Sequence, residues 1–216
     1  MLVNSKPMHF YVLKVGGSLI ASSRELIRSL FTLADEGYSF LVVPGGGPMA
    51  DLVWDLFIQH KLSEEAAHWM AILAMEQYAH FLADGTGARL TRYIRRPHSE
   101  CPAVEILLPY QAMQEDDFGL EHNWSYTSDS VAMLVAFRLG SALIKATDVD
   151  GVIFEGEVQE ELCASSLVGK ESCIDQGTLC LLQGLCRGGS IWVLNGTDPQ
   201  QFVSALRGGR GGTIIR

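Results

Sequence analysis

Two apolar runs in the first fifty residues each end in glycine and pass straight into a helical pattern. This repeat constrains the fold more than any other feature of the chain. Phe10-Tyr11-Val12-Leu13-Lys14-Val15 enters Gly16-Gly17-Ser18-Leu19, and Tyr38-Ser39-Phe40-Leu41-Val42-Val43 enters Pro44-Gly45-Gly46-Gly47-Pro48. Between them Ser22-Ser23 can cap a helix with Leu26, Ile27, Leu30 and Leu33 on one face, which Gly37 closes. After the second run, Leu52, Val53, Leu56 and Phe57 fall on one side of another helix. Continuous apolar strands alternating with amphipathic helices predict a parallel sheet covered on both faces. A strand closing on Lys-x-Gly-Gly-Ser also gathers an ammonium, unobstructed amides and a hydroxyl, the groups that cradle phosphate oxygens. On that stretch alone, an ordinary strand–turn with a solvated lysine reads as well.

The rest of the chain continues the alternation. A long helix is expected from Ser63, with Glu64 and Glu65 in its first turn, through Trp69, Met70, Leu73, Tyr78 and Leu82 to Gly85. Its apolar circumference predicts burial or an interface in a homo-oligomer. Strands are expected near Leu90–Ile94 and Val104–Leu108, and a solvated loop or helix end at Gln114-Glu115-Asp116-Asp117. A polar start at Thr127-Ser128-Asp129-Ser130 opens a helix to Leu139, followed by a buried strand from Ala142 into Thr147-Asp148-Val149-Asp150-Gly151. Residues 155–189 read as irregular around a helix at 177–186. A strand at Ile191–Leu194, a helix capped by Asp198-Pro199 and a last strand at 212–215 complete the chain. The pattern predicts one α/β domain over residues 1–216, a sheet with helices on both sides.

Composition narrows the function. The chain has 216 residues and a net charge of −9, which argues against non-specific nucleic-acid binding. Cys101, Cys163, Cys173, Cys180 and Cys186 form no C-x-x-C pair, so they read as reduced thiols of a cytoplasmic protein. No apolar run approaches the ~18–20 residues that span a bilayer, and the first eight residues do not read as a signal peptide.

Glycine-bearing strand ends on the carboxyl edge of a parallel sheet mark where ligands sit. Gly45-Gly46-Gly47 is not followed by Lys-Ser or Lys-Thr, and the first strand–helix turn has no G-x-G-x-x-G, so neither the P-loop nor the dinucleotide fingerprint applies. What remains is phosphate binding split over two loops, which suits a transfer between a donor and an acceptor. Phosphoryl transfer asks a protein mainly for positioning and charge neutralisation.

Lys14-Val15-Gly16-Gly17-Ser18, Val43-Pro44-Gly45-Gly46-Gly47, Thr127-Ser128-Asp129 and Lys145-Ala146-Thr147-Asp148-Val149-Asp150-Gly151-Val152, in this order, resemble the signature of the amino acid kinase superfamily. The resemblance covers residues 10 to about 154 and returns weakly at the last strand. It implies a three-layer αβα sandwich around a mostly parallel sheet, ATP as phosphoryl donor, and Mg2+ held through the nucleotide phosphates with no protein metal ligands. Lys14 would contact the transferring phosphate, and Asp129 would orient the catalytic lysines. Gly16, Gly17 and Ser18 would bind the nucleotide phosphates, with Lys145, Thr147, Asp148, Asp150 and Gly151 completing the nucleotide side. Gly45, Gly46, Gly47 and Ser128 would hold the acceptor. Asp129 also reads as a plain N-cap and Thr147–Gly151 as a polar turn.

One departure stands out. Many members carry a Gly-Met-x-x-Lys segment whose lysine assists the transfer, and this chain has none. Lys170 lies in about the right region without the motif; Lys145 or Arg187 are the other candidates for the second cation. Ala67–Met75 and Trp192-Val193-Leu194-Asn195-Gly196 resemble the kinases of methanofuran assembly, which convert an (aminomethyl)furanylmethyl phosphate to its diphosphate. Arg92, Arg95, Arg96 and His98 offer cations for such a small phosphorylated substrate, although a basic surface edge explains them too. Glu76 and Asp84 are candidates to receive an aminomethyl group, while His68 and Trp69 read as packing. The rival readings are a uridylate or isopentenyl phosphate kinase and a non-catalytic nucleotide-binding or storage member.

Overall fold

The computed structural model describes residues 9–97 and 103–216. The first eight residues, His98 and Cys101 lie outside the described residues. In chain order the elements are β1 (His9–Val15), α1 (Ser23–Leu30), β2 (Tyr38–Pro44), α2 (Gly47–His60), α3 (Glu64–Ala83), β3 (Arg89–Thr91) and β4 (Val104–Leu107). They continue with α4 (Pro109–Glu115), α5 (Ser128–Arg138), β5 (Leu143–Thr147), β6 (Ile153–Phe154), β7 (Glu157–Val158), β8 (Glu161–Leu162) and α6 (Ala164–Leu167). The last are α7 (Gln176–Gln183), β9 (Ile191–Asn195), α8 (Pro199–Gly208) and β10 (Thr213–Ile215).

Eight strands form one sheet in the order β3-β4-β2-β1-β5-β9-β10-β8, and β6 pairs with β7 in a separate hairpin. From β3 to β9 every pairing is parallel; β10 runs antiparallel to β9. Successive side chains of a strand point to opposite faces, so each central strand feeds two cores. Val12, Leu41 and Val43 enter a core closed by α5 and α7, while Leu13, Val15, Phe40 and Val42 enter a second core closed by α1 and α8. α3 serves both, giving Ile72 and Met75 to the first and Tyr78, Ala79 and Leu82 to the second. This is the expected αβα sandwich with a mostly parallel sheet.

Three local readings change. α2 packs mainly on α3 and not on the sheet, so of its residues only Val53 is buried, and Leu52 is 59% exposed. Helical period identifies a face but not what covers it. Ser22 precedes α1 without a side-chain cap, its hydroxyl turning to the carbonyls of Leu19 and Gly196. The strand expected at Leu90–Ile94 closes at Thr91. The cap at Asp198 forms as read, accepting from Gln200 N and Gln201 N, and Ser63 stands one residue before α3 as its cap, accepting from Ala66 N.

Parallel pairing places the ends of β1, β2 and β5 on one edge. Both glycine loops and the turn after Thr147 therefore meet there.

Candidate active site

The centre of that edge is a cluster of three charged side chains. β1 and β5 pair in parallel with Lys14 opposite Lys145, so both ammonium groups leave the same face of the sheet side by side. Asp129, in the first turn of α5, enters between them. Lys14 Nζ lies 2.8 Å from Asp129 Oδ1, and Lys145 Nζ donates to Asp129 Oδ2 and to the Cys173 carbonyl. Exposures of 7% for Lys14, 5% for Lys145 and 4% for Asp129 put the whole cluster out of bulk water. Burial alone would raise the Asp129 carboxyl, but Lys14 and Lys145 outweigh it and hold its pKa at about 2. Burial draws the Lys14 ammonium below its ordinary value against the pull of Asp129. Two buried amines thus share one carboxylate, a cluster that suits an anionic ligand.

The glycine loops surround this cluster. The Gly16 amide donates to Ala146 O at 3.2 Å and the Gly45 amide to Val15 O at 2.8 Å, so both are spent inside the fold. Among the described residues, the amides of Gly17, Ser18, Gly46 and Gly47 donate to no other group of the chain. The loops touch backbone to backbone: a Cβ on Gly17 would stand 2.7 Å from Gly47 Cα. Gly47 has φ +57°, a left-handed conformation that a side chain disfavours. Tyr78, fully buried on α3, donates its hydroxyl to Gly16 O at 3.2 Å and ties the first loop to the helix behind the second.

The start of α5 is braced from outside the motifs. Asp175, N-cap of α7, accepts from Thr127 N at 3.1 Å, Ser130 Oγ at 2.9 Å and Thr178 N at 2.5 Å. An aspartate three residues before Thr178 is a readable cap, but nothing local in the sequence shows that it also holds Thr127. Tyr78 carries no sequence signal for its loop contact, because the partners lie 62 positions apart.

Beside the second loop lies a cavity of about 80 Å³ between the start of α2, α3 and residues 123–131. Gly46, His68, Ile72, Trp124 and Ser128 are among the residues that line it.

The nucleotide-side residues divide. Thr147 is buried, with its carbonyl accepting from Gly196 N at 2.7 Å. Asp148 and Asp150 are exposed, and Asn195 donates to Asp150 Oδ1 at 2.7 Å. Gly151 is packed shut: a Cβ there would stand 2.6 Å from Thr213 Oγ1 and 2.7 Å from Val158, so its role is to seat the β6–β7 hairpin.

The candidates for a second cation also separate. Lys170 is exposed, its ammonium 4.1 Å from the Phe154 ring centre, and Arg187 precedes β9 on the opposite edge of the sheet. Lys145 stands on Asp129. Glu76 accepts from Tyr110 N at 2.9 Å and Asp84 pairs with Arg24 at 3.0 Å, so neither faces the cavity. Arg95 pairs with Glu105 at 3.5 Å and Arg96 donates to Leu139 O at 2.9 Å, which fits a basic structural edge. Arg92 lines a different pocket, with Tyr93 and Arg138.

A model of the amino acid kinase family matches residues 9–95, which hold both glycine loops. Across 205 residues the chain is 28% identical to a [5-(aminomethyl)furan-3-yl]methyl phosphate kinase of Methanocaldococcus jannaschii, covering 92% of this chain and 93% of that one. The fold is shared with a uridylate kinase from Archaeoglobus fulgidus, with a TM-score of 0.69, 21% identity and coverage of 95% of this chain and 99% of that one. It is shared too with the isopentenyl phosphate kinase of T. acidophilum, with a TM-score of 0.59, 17% identity and coverage of 96% and 100%. By these matches the chain is similar to the amino acid kinase family over residues 9–95 and, over nearly its whole length, to proteins named as small-molecule phosphate kinases.

Proposed function

We propose that this protein transfers the γ-phosphoryl group of ATP to a small phosphorylated acceptor to make a diphosphate, with [5-(aminomethyl)furan-3-yl]methyl phosphate as the acceptor. The observation that carries the reading is the buried Lys14–Asp129–Lys145 cluster at the contact between the two glycine loops. The 28% identity to a kinase named for that acceptor supports the choice of substrate.

The chemistry follows from charge. A phosphoryl group in flight spreads negative charge over its equatorial oxygens, and fixed cations stabilise that charge best in a site closed to water. Lys14 and Lys145 supply the cations, and Asp129 holds both ammoniums in place. With a pKa near 2 Asp129 stays ionised, so it positions and does not act as a base. None is required, because the attacking atom is an oxygen of a phosphate already ionised near neutral pH. Lys145 takes the place of the absent lysine segment, which removes the main argument for a non-catalytic member.

The free amides of Gly17 and Ser18 receive the donor phosphates, with Thr147, Asp148 and Asp150 toward the nucleoside. Those of Gly46 and Gly47, with Ser128, receive the acceptor phosphate, and its organic part enters the cavity. Among the described residues no three His, Cys, Asp or Glu side chains converge as a metal site, and Asp129 is committed to two ammoniums. Magnesium fits here as a companion of the nucleotide phosphates, where it neutralises their charge.

Among the described residues no helix is long and apolar enough to cross a membrane. Exposed Leu52 and Ile58 on α2 and Leu73 on α3 support self-association as a homo-oligomer, which light scattering tests. The function is tested by ADP release from ATP–magnesium with the aminomethylfuran phosphate, uridine monophosphate and isopentenyl phosphate compared. Preference for the first supports the reading. ATP binding without turnover on any of the three contradicts it.

A further inference from the structure

The cavity beside the second loop is mostly apolar, lined by Ala67, Ala71, Ile72, Met75 and Val131. Two polar atoms of its lining residues are nonetheless buried without a hydrogen-bond partner: His68 Nε2 and Trp124 Nε1. Buried polar groups are nearly always bonded, and leaving one unpaired costs stability, so two such atoms at one cavity mark a place for a ligand.

The imidazole of His68 is also held. It stacks on His122 at 4.0 Å and 8°, with the edge of Trp69 at 5.1 Å, and it is 7% exposed. His122 is fixed in turn by Glu65 and, at 2.9 Å, by Asp117. Burial, with the His122 charge adding to it, keeps the His68 pKa at about 4, so the ring is neutral near pH 7 and has a lone pair to offer. Among the described residues, Glu64 is the one charged side chain that lines the cavity, and no cation lines it. An anionic phosphate is therefore best met by Gly46 and Ser128, at the starts of α2 and α5, leaving His68 and Trp124 for a neutral or cationic group.

We propose that His68 and Trp124 determine acceptor specificity, His68 taking a hydrogen bond from a protonated amine on the end of the acceptor remote from its phosphate. Trp124, a donor only, serves an acceptor atom of the ring that carries the amine, and Glu64 supplies the counter-charge at the rim. The proposal rests on the phosphoryl-transfer reading and adds to it the residues that recognise the amine end of the acceptor.

The test compares the aminomethylfuran phosphate with an analogue carrying methyl in place of aminomethyl. Wild type is expected to favour the amine. His68→Phe, which keeps the stacked ring, is expected to raise KM for the amine acceptor about tenfold, with kcat and the methyl analogue little changed. His68→Gln, which retains a hydrogen-bond acceptor, is expected to recover most of the loss. An equal change for both acceptors, or none, overturns the proposal and leaves His68 a packing residue. If no acceptor is turned over, the kinase reading fails. The pocket is then judged separately by titrating the wild-type protein with furfurylamine and following the His68 ring nitrogens by NMR. Their movement supports amine recognition, and unmoved signals contradict it.

Discussion

The proposed donor and acceptor halves of this site are built from different materials. The donor half is a strand, its own loop and the lysine that closes the strand, all within Lys14–Ser18, joined by the register of β1 with β5. The acceptor half is assembled from the start of α2, the face of α3 and a loop before α5, which meet only in the folded protein. The first is centred on the buried charge of Lys14; the second is mostly apolar, with polar atoms left unpaired. The contrast follows from the work each half does. Triphosphate is common to every kinase of this kind and asks for fixed cations, whereas an acceptor is recognised by the shape and bonding of one cavity.

Substitutions separate the halves. The largest effect is expected from Asp129→Ala, which leaves two ammoniums buried without a counter-ion. Turnover falls by ~1000-fold, and stability drops by about 3–5 kcal/mol, as when one partner of a buried ion pair is removed. Steady-state kinetics and urea unfolding read the two, and wild-type stability would contradict the electrostatic account of the cluster. Ala71→Leu on α3 fills the acceptor cavity and touches no donor residue. It is expected to raise KM for the acceptor about tenfold while KM for ATP holds; a matching rise for ATP would break the division between the halves.

The pH dependence distinguishes the halves in a second way. Asp129 has a depressed pKa, so its ion pairs stabilise the fold above the unfolded carboxyl value of ~4 and the contribution is lost as pH falls toward 2. His68 is a base with a depressed pKa, so the unfolded chain binds more protons between pH ~6.5 and 4 and stability falls across that window. For His122 burial acts to lower the pKa, but Glu65 and Asp117 raise it, so its own contribution weakens as pH rises through that raised value. Thermal unfolding from pH 7 to 4 should show a decline that His68→Phe reduces. An unchanged decline would remove His68 from the buried neutral state assigned to it. The smallest effect is expected at Lys170→Ala, less than twofold in turnover, because its ammonium lies on Phe154 far from Asp129 in function. A large loss there would restore Lys170 as the second cation.

These differences explain what could be read from the chain. Lys14, the two glycine loops and Asp129 could be read as candidates because each motif is contiguous and its proposed chemistry depends on residues a few positions apart. The alternation of apolar strands and helices gave the sandwich for the same reason. Lys145 as partner of Lys14 is a matter of strand register, which local pattern leaves open. It therefore stood level with Arg187, which precedes β9 and so falls on the far edge. Asp175 and Tyr78 act across 48 and 62 positions and carry no local sign of it. His68 read as packing because a histidine on an apolar helix face usually is; its unpartnered nitrogen appears only once the cavity is assembled. Gly151 is a motif glycine whose packing against Thr213 and Val158 is equally invisible in the local pattern.

The central claim is that Lys14 and Lys145, held by one carboxylate, make the transfer. It is tested most directly by single-turnover phosphoryl transfer in Lys145→Ala, with ATP affinity measured on the same protein. The account predicts a rate at least ~100-fold below wild type with ATP affinity within about threefold, since the lysine acts on charge that develops in transit. A rate near wild type would contradict it.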